Sequence, residues 1–184
     1  MRILVLILKC LAAAYALYLL LFLAIACVPG SHPTHPPFVI FILDTIDLFI
    51  HEAGHFFMKP FGRFLYVLGG SLVQVLLPLA LLIVTARKDI RQTPPVAFWV
   101  GESMINVSIY IADAPYRKLK LIASGLIHDW WWLLNGDADI ADPLSWAIYG
   151  IGVLLCGASV VAFVVWAVMT YRESAEAEPS FLHS

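Results

Sequence analysis

Long apolar runs along the chain are the feature that most constrains its fold. A helix of about 20 apolar residues can span the hydrocarbon core of a bilayer, where irregular backbone would leave its amide groups without hydrogen-bond partners. Such runs predict transmembrane helices over residues 3–28, 38–58, 64–85, 96–112 and 144–169. The sequence therefore predicts an all-α polytopic membrane protein with about five transmembrane helices.

The composition agrees with a membrane protein and argues against nucleic-acid binding. Hydrophobic residues make up 61% of the 184 residues and charged residues only 13%, which lies outside the usual range of soluble globular domains. The formal net charge is -2, and no basic face or arginine-rich arm is visible. Because a nucleic-acid-binding surface needs such a basic face, we expect no nucleic acid partner.

The first apolar run has two possible interpretations. Arg2 and Lys9 lie near its beginning, as the basic residues of a signal peptide do. The run is about as long as a full span, however, whereas the apolar region of a signal peptide has about 7–15 residues. We therefore expect a retained transmembrane helix.

A shorter apolar segment covers residues 121–134 and has the polar pair His128-Asp129 at its centre, followed by three tryptophans. It is too short and too polar for a span, so we expect a re-entrant or interfacial segment with the tryptophans at headgroup level. No internal repeat is visible in the chain. We therefore expect a single membrane-embedded domain over residues 1–172 and a polar C-terminal tail over 173–184.

Successive transmembrane helices alternate in direction, and this alternation brings several polar residues to one side of the membrane. The second predicted helix ends at this side, the third begins there and the fourth returns to it. The side would hold His51, His55, Gly69-Gly70, Asp113 and the start of the segment with His128-Asp129. It also has a small excess of lysine and arginine, which would make it cytoplasmic.

The second apolar run ends in the pattern H-E-x-x-H, formed by His51, Glu52 and His55. Histidines four positions apart lie on one face of a helix and can bind the same Zn²⁺, and the glutamate can hold a water for activation. Such side chains are costly inside hydrocarbon, so their presence here predicts a functional site. Asp47 lies one turn before His51 and is a candidate acceptor for its second ring N–H.

A catalytic zinc ion needs a third protein ligand and an open position for water. The candidates are His128, Asp129 and Asp113. A histidine would supply a nitrogen ligand, whereas an aspartate would complete a set of two histidines and one carboxylate. Neighbouring residues of a helix point about 100° apart, so His128 and Asp129 rarely both bind one ion. We expect one of this pair to be the ligand and the other to support it, ahead of Asp113.

These motifs, taken in order, resemble those of bacterial site-two-protease-like intramembrane zinc metalloproteases, in particular the small branch without extra soluble domains. The matching elements are H-E-A-G-H at 51–55, Gly69-Gly70-Ser71 with Gln74 and Pro78, the stretch 110–114, and His128-Asp129-Trp130. The resemblance implies an α-helical membrane fold with zinc within the plane of the bilayer. It also implies hydrolysis of transmembrane or membrane-proximal segments of other proteins.

Carried over by position, the resemblance makes His51 and His55 zinc ligands and Glu52 the general base. The better-known members take their third ligand from a leucine-aspartate-glycine motif on a later helix. This chain lacks that motif, since Ala114 rather than glycine follows Asp113. The histidine-aspartate pair belongs instead to the pattern of the small branch.

We therefore expect a multi-pass protein of the cell (inner) membrane that is a zinc metalloendopeptidase acting on membrane protein substrates. Zn²⁺ would be held by His51, His55 and one of His128 and Asp129, with Glu52 as general base. The alternative is a non-proteolytic metal-binding membrane protein, such as a regulator, a chaperone or a transporter component. A third interpretation makes the polar stripe of the second helix a proton or ion path.

Overall fold

The computed structural model describes residues 2–121 and 126–176, which form α-helices joined by turns and loops. The helices are α1 Arg2–Ala26, α2 Phe38–Met58, α3 Arg63–Lys88, α4 Thr93–Asp113, α5 Asp129–Leu134 and α6 Ala138–Glu176. Short 3₁₀ turns at Lys59–Phe61 and Ile90–Gln92 precede α3 and α4. The protein is an all-α polytopic membrane protein, and the fold class that the apolar runs predict is confirmed.

Four helices in the described part of the chain are long and apolar enough to cross a membrane, namely α1, α3, α4 and α6. α2 has 21 residues, which is also long enough, but it carries the carboxylates of Asp44, Asp47 and Glu52. Asp47 is fully buried, and Asp44 and Glu52 line a cavity. The polar stripe of α2 is therefore directed into the protein rather than at lipid.

α4 lies at the centre of the bundle and packs against α6 along most of its length. Gly101 of α4 faces Gly152 of α6, and a Cβ on either glycine would collide with the backbone of the other helix. Helices in a bilayer associate through close van der Waals packing, which small residues allow. This contact supports α4, which carries several of the side chains around the site.

α1 packs on the outside of α6 and leaves most of its apolar side chains exposed, as a helix in contact with lipid does. Its last turns are the exception. Leu23 is buried in an apolar cluster with Ile40 and Phe98, and the hydroxyl of Tyr149 donates to the carbonyl of Ala24 at 2.7 Å. The C-terminal end of α1 therefore closes one side of the bundle.

α2 and α3 form a tightly packed antiparallel pair. Gly62, at the turn between them, has a φ of 96°, a conformation that residues with a Cβ rarely adopt. Gly54 of α2 faces Gly69 of α3 so closely that a Cβ on either would meet the backbone of the other. The second half of α2 is therefore held against the first half of α3.

α6 is longer at both ends than the predicted span over residues 144–169. Pro143 lies inside its early turns, where the missing N–H costs a hydrogen bond without ending the helix. Near the other end, the guanidinium of Arg91 binds the carboxylate of Glu173 at 3.1 and 3.3 Å. Residues 173–176 continue the helix although they were predicted as tail, and the rest of the predicted tail, 177–184, lies outside the described residues.

The predicted re-entrant or interfacial segment forms only the short helix α5, and its residues 122–125 lie outside the described residues. His128 caps α5, because its Nδ1 accepts the N–H of Trp131 at 3.2 Å. Trp130 is buried, and its ring N–H donates to the hydroxyl of Ser71 at 3.0 Å. This tryptophan is therefore covered by protein rather than exposed as in an interface belt, since its N–H finds a partner on α3.

Candidate metal centre

Three of the predicted site residues converge on one point. Nε2 of His51 lies 3.0 Å and Nε2 of His55 3.2 Å from Oδ2 of Asp129. The two histidines come from one face of α2, as their spacing requires, and Asp129 is the first residue of α5. Among the described residues, these three form the group of His, Cys, Asp and Glu side chains whose ligand atoms lie close enough to hold a metal ion. We call these three residues the metal group.

The separations in this group fit a tetrahedrally coordinated ion with the bond lengths of zinc. Bonds of about 2.0–2.1 Å to nitrogen and oxygen place tetrahedral ligand atoms about 3.3 Å apart. The observed nitrogen–oxygen separations of 3.0 and 3.2 Å are close to this value. Three protein ligands would leave one tetrahedral position open, which is the arrangement of catalytic rather than structural zinc sites.

Hydrogen bonds on the far side of each imidazole set the tautomers. Nδ1 of His51 lies 3.1 Å from Oε1 of Gln74, and Nδ1 of His55 lies 2.8 Å from the carbonyl oxygen of Tyr66. Both partners are acceptors, so each Nδ1 carries the proton and each Nε2 presents a lone pair. Two lone pairs and a carboxylate oxygen then face one another without a donor between them. Such a cluster needs a cation, or extra protons on the imidazoles.

Gln74 occupies the position for which the sequence suggested Asp47. Asp47 lies one step further away, where it accepts from the ring N–H of Trp99 at 2.8 Å and from Nε2 of Gln74 at 3.5 Å. The same Nε2 donates to Oδ1 of Asn106 at 2.9 Å, and Nδ2 of Asn106 donates to Asp44 at 2.8 Å. Asp47 is therefore connected to the histidine through the amide of Gln74, and Asp44 through the amides of Asn106 and Gln74, without direct contact.

Asp129 is held by a residue that sequence reasoning did not single out as part of the site. The hydroxyl of Tyr110 donates to Oδ2 of Asp129 at 3.3 Å and accepts the backbone N–H of Asp129 at 3.1 Å. Burial alone would raise the pKa of Asp129, but where the imidazoles of His51 and His55 carry the extra protons, their hydrogen bonds and charges lower it below its ordinary value. A cation at the same point would likewise favour the ionised carboxylate, which is the form that binds metals. The only sequence signal for Tyr110 is its place in the motif stretch 110–114.

His128 and Asp113, the other two candidates for the third ligand, pair with each other instead. Nε2 of His128 lies 3.3 Å from Oδ2 of Asp113, and Nδ1 of His128 caps α5. Asp113 also accepts the backbone N–H groups of Lys118 and Leu119 at 2.8 and 3.0 Å. Burial lowers the pKa of His128 although the charge of Asp113 opposes this. Both side chains are thus directed away from the metal group, and they fix the chain on either side of the loop before Asp129.

Glu52 is half-buried and lines the cavity beside the metal group. It lies near enough to His55 and Tyr110 to interact with them electrostatically. No hydrogen bond or ion pair to another described residue holds its carboxylate. A carboxylate in this setting is available to accept a proton from water or substrate.

The two consecutive glycines of α3 serve close packing against α2. Consecutive glycines within a membrane helix can serve such close packing, or they can expose backbone groups that pair with an extended substrate. Gly69 lies under Met58 and Gly54, and a Cβ on Gly70 would collide with the imidazole of His51. α3 is helical through both positions, so their backbone groups belong to the helix and form no open edge. The structure therefore favours the packing role.

A cavity of about 1180 Å³ opens beside the metal group and extends along α2. Its wall next to the metal group includes His51, Glu52, His55 and Asp129. Further along, apolar side chains from three helices line it, among them Leu23, Leu48, Ile105 and Ile109. The volume exceeds the range of about 300–1,000 Å³ typical of small-molecule pockets, so the cavity has room for an extended peptide segment.

Comparison of the chain with protein-family models, curated proteins and solved structures gives no match.

Proposed function

We propose that this protein is an intramembrane zinc metalloprotease that hydrolyses peptide bonds in membrane-spanning or membrane-proximal segments of other proteins. The observation that carries the proposal is the convergence of His51, His55 and Asp129 beside an accessible Glu52. Two imidazoles and one carboxylate form a donor set used by zinc hydrolases, and the glutamate follows the first histidine, as in H-E-x-x-H peptidases. The resemblance in the order of the motifs points to the same reaction.

When bound, zinc would polarise the scissile carbonyl and acidify water. His51, His55 and Asp129 would hold the ion. Glu52 would take the proton from the attacking water and deliver it to the leaving amine, which is the work of a general base and then a general acid. Gln74 and the carbonyl of Tyr66 would keep both imidazoles in the tautomer that presents Nε2.

The setting of the cavity supports a polypeptide substrate drawn from the bilayer. Apolar side chains of helices that are long enough to cross the membrane form part of its wall, and the metal group lies in the same wall. An apolar segment could therefore lie along α2 with a peptide bond beside Glu52. We place the protein in the cell (inner) membrane as part of this proposal.

The test is zinc content together with turnover in purified protein. The substrates are synthetic peptides with an apolar span of about 20 residues and a fluorophore and quencher on either side of the membrane-proximal end. We expect His51→Ala, His55→Ala and Asp129→Ala to lose zinc and His35→Ala, at an exposed loop position, to keep it. We expect Glu52→Gln to keep zinc and to lose at least about 100-fold in turnover.

Two results would contradict the proposal. Full zinc content in the His51→Ala variant would refute the assignment of the metal centre. Wild-type turnover in the Glu52→Gln variant would refute the assignment of Glu52 as general base. Stoichiometric zinc without cleavage of any peptide would favour the non-proteolytic metal-binding alternative.

A further inference from the structure

Four basic side chains surround the end of the cavity that lies nearest the metal group. They are Lys59, Arg63, Lys118 and Lys120, and all four are exposed. We call them the basic mouth. Among the described residues, no carboxylate lies within 4.0 Å of their charged nitrogens. The ion pair that an arginine of the described residues does form, Arg91–Glu173, lies elsewhere and joins the turn before α4 to the far end of α6.

The basic mouth is built on fixed elements. Lys59 follows α2 directly, and Arg63 is the first residue of α3, with its guanidinium 5.0 Å from the ring centre of Trp132. Lys118 belongs to the loop whose backbone N–H groups bind the buried carboxylate of Asp113. The positive charges therefore lie at the opening, and no carboxylate of the described residues is paired with them.

The two ends of the cavity differ in their lining. Away from the metal group, apolar side chains such as Leu23, Ile40 and Ile105 line it together with the polar side chains of Asp44 and Glu102, whereas the other end carries the basic mouth, with the metal group and Glu52 next to it. A ligand that matches both ends has an apolar stretch followed by negative charge. Clefts lined by charge of one sign favour ligands of the opposite sign and slow the entry of like-charged ones.

We propose that the preferred substrate is a membrane segment with an acidic side chain close to the scissile bond, on the flank that reaches the basic mouth. This inference rests on the proposed function, since it names the substrate class of the same site. Polypeptides with lysine or arginine on that flank would be disfavoured by repulsion at the mouth. The basic mouth would thereby select a minority of membrane segments.

The position of the acidic residue follows from the geometry. Lys59 is four positions beyond His55 on continuous helical backbone, so their Cβ atoms are about 5–6 Å apart. An extended peptide advances about 3.3 Å per residue. Allowing for the length of the lysine and arginine side chains, the acidic residue would lie about two to four residues from the scissile bond.

The experiment uses zinc-loaded, full-length protein in a neutral detergent and three quenched fluorescent peptides. The peptides share one apolar span and differ only at the second to fourth positions beyond the cleavage site, which hold aspartate, serine or lysine. We expect kcat/KM to be about tenfold higher for the aspartate than for the lysine peptide at low salt, the lower end of what electrostatic steering achieves. The preference should shrink as salt shortens the Debye length from about 10 Å at 0.1 M to about 3 Å at 1 M.

Charge removal at the mouth gives the decisive comparison. In the double variant Lys59→Gln/Arg63→Gln, with zinc content as the check of folding, we expect the three rates to become equal within about twofold. If that variant loses zinc, Lys120→Gln is measured instead and should reduce the preference in part. The matched control is Arg87→Gln/Lys88→Gln, exposed at the other end of α3, which should leave the preference intact.

A binding measurement separates failure of this inference from failure of the proposed function. The same peptides are titrated into the Glu52→Gln variant, and their binding is followed by fluorescence anisotropy. Tighter binding of the aspartate peptide without any cleavage by the wild type would refute the proposed peptidase activity and would support the role of the basic mouth in binding acidic segments. Equal binding and equal cleavage of the three peptides would refute the proposed preference for acidic substrates and would leave the proposed peptidase activity intact. Equal peptide binding together with saturable binding of fluorescent phosphatidylglycerol would assign the four cations to lipid headgroups and would also refute that preference.

Discussion

Replacing Gln74 by leucine removes the acceptor that holds the His51 imidazole. Gln74 is 3% exposed, and its Oε1 lies 3.1 Å from Nδ1 of His51. Leucine is close in size, so the change removes polar atoms rather than packing. The Nδ1–H would then be buried without a partner, and the ring would lose the contact that keeps Nε2 toward Asp129.

Two independent estimates of the effect on zinc binding agree. An unsatisfied buried donor costs about 1–3 kcal/mol. Loss of a hydrogen-bond partner behind a metal-binding histidine typically lowers metal affinity by about 10–100-fold, which corresponds to about 1.4–2.7 kcal/mol. Because His51 is one of three protein ligands, we expect the Kd for zinc in Gln74→Leu to rise by about 10–100-fold.

The assay is competition for zinc between the purified protein and a chromophoric chelator in detergent at neutral pH. The matched control is Gln92→Leu, the same substitution at an exposed position in the turn before α4, which should leave the Kd within about twofold of the wild type. A Kd for Gln74→Leu within the same twofold range would refute the reasoning, since the amide would then not orient the ligand. An equal rise in both variants would do so as well, because it would show a general effect of the substitution.

Three further predictions follow from contacts around the metal group. Tyr110→Phe keeps the ring but removes a 3.3 Å hydrogen bond to Asp129, so we expect zinc affinity to fall by about fivefold, which chelator competition measures. Gly70→Ala would drive a methyl group into the imidazole of His51, so we expect loss of zinc and a lower melting temperature in detergent, whereas Gly157→Ala, where nothing lies within 4 Å of the added carbon, should change neither. Asp113→Asn weakens the hydrogen bonds that anchor the Lys118 loop and changes no zinc ligand, so we expect faster trypsin cleavage after Lys118 with zinc retained. Loss of zinc at an unchanged cleavage rate would contradict the assignment of Asp113 as a loop anchor.

Patterns that act over one helix were predictable from the sequence alone. Apolar runs of bilayer length led to the all-α membrane fold, and α2 begins and ends at the predicted residues 38 and 58. Helical periodicity likewise puts His51 and His55 on one face, because residues four apart always share a face. The ends of α6 were less predictable, since the helix extends beyond the apolar run at both ends, to Ala138 and Glu176.

The partners of those histidines were decided by tertiary structure. His128 and Asp129 are neighbours in the chain, and the sequence left open which of them meets the metal group. The rotation of α5 about its axis settles this, and it depends on contacts with distant residues, namely His128 with Asp113 and Trp130 with Ser71. The choice of Gln74 rather than Asp47 behind His51 has the same origin, since it depends on how closely Gly54 and Gly69 let α2 and α3 approach. Local sequence determines which side chains share a helix face, whereas the packing between helices determines what that face meets.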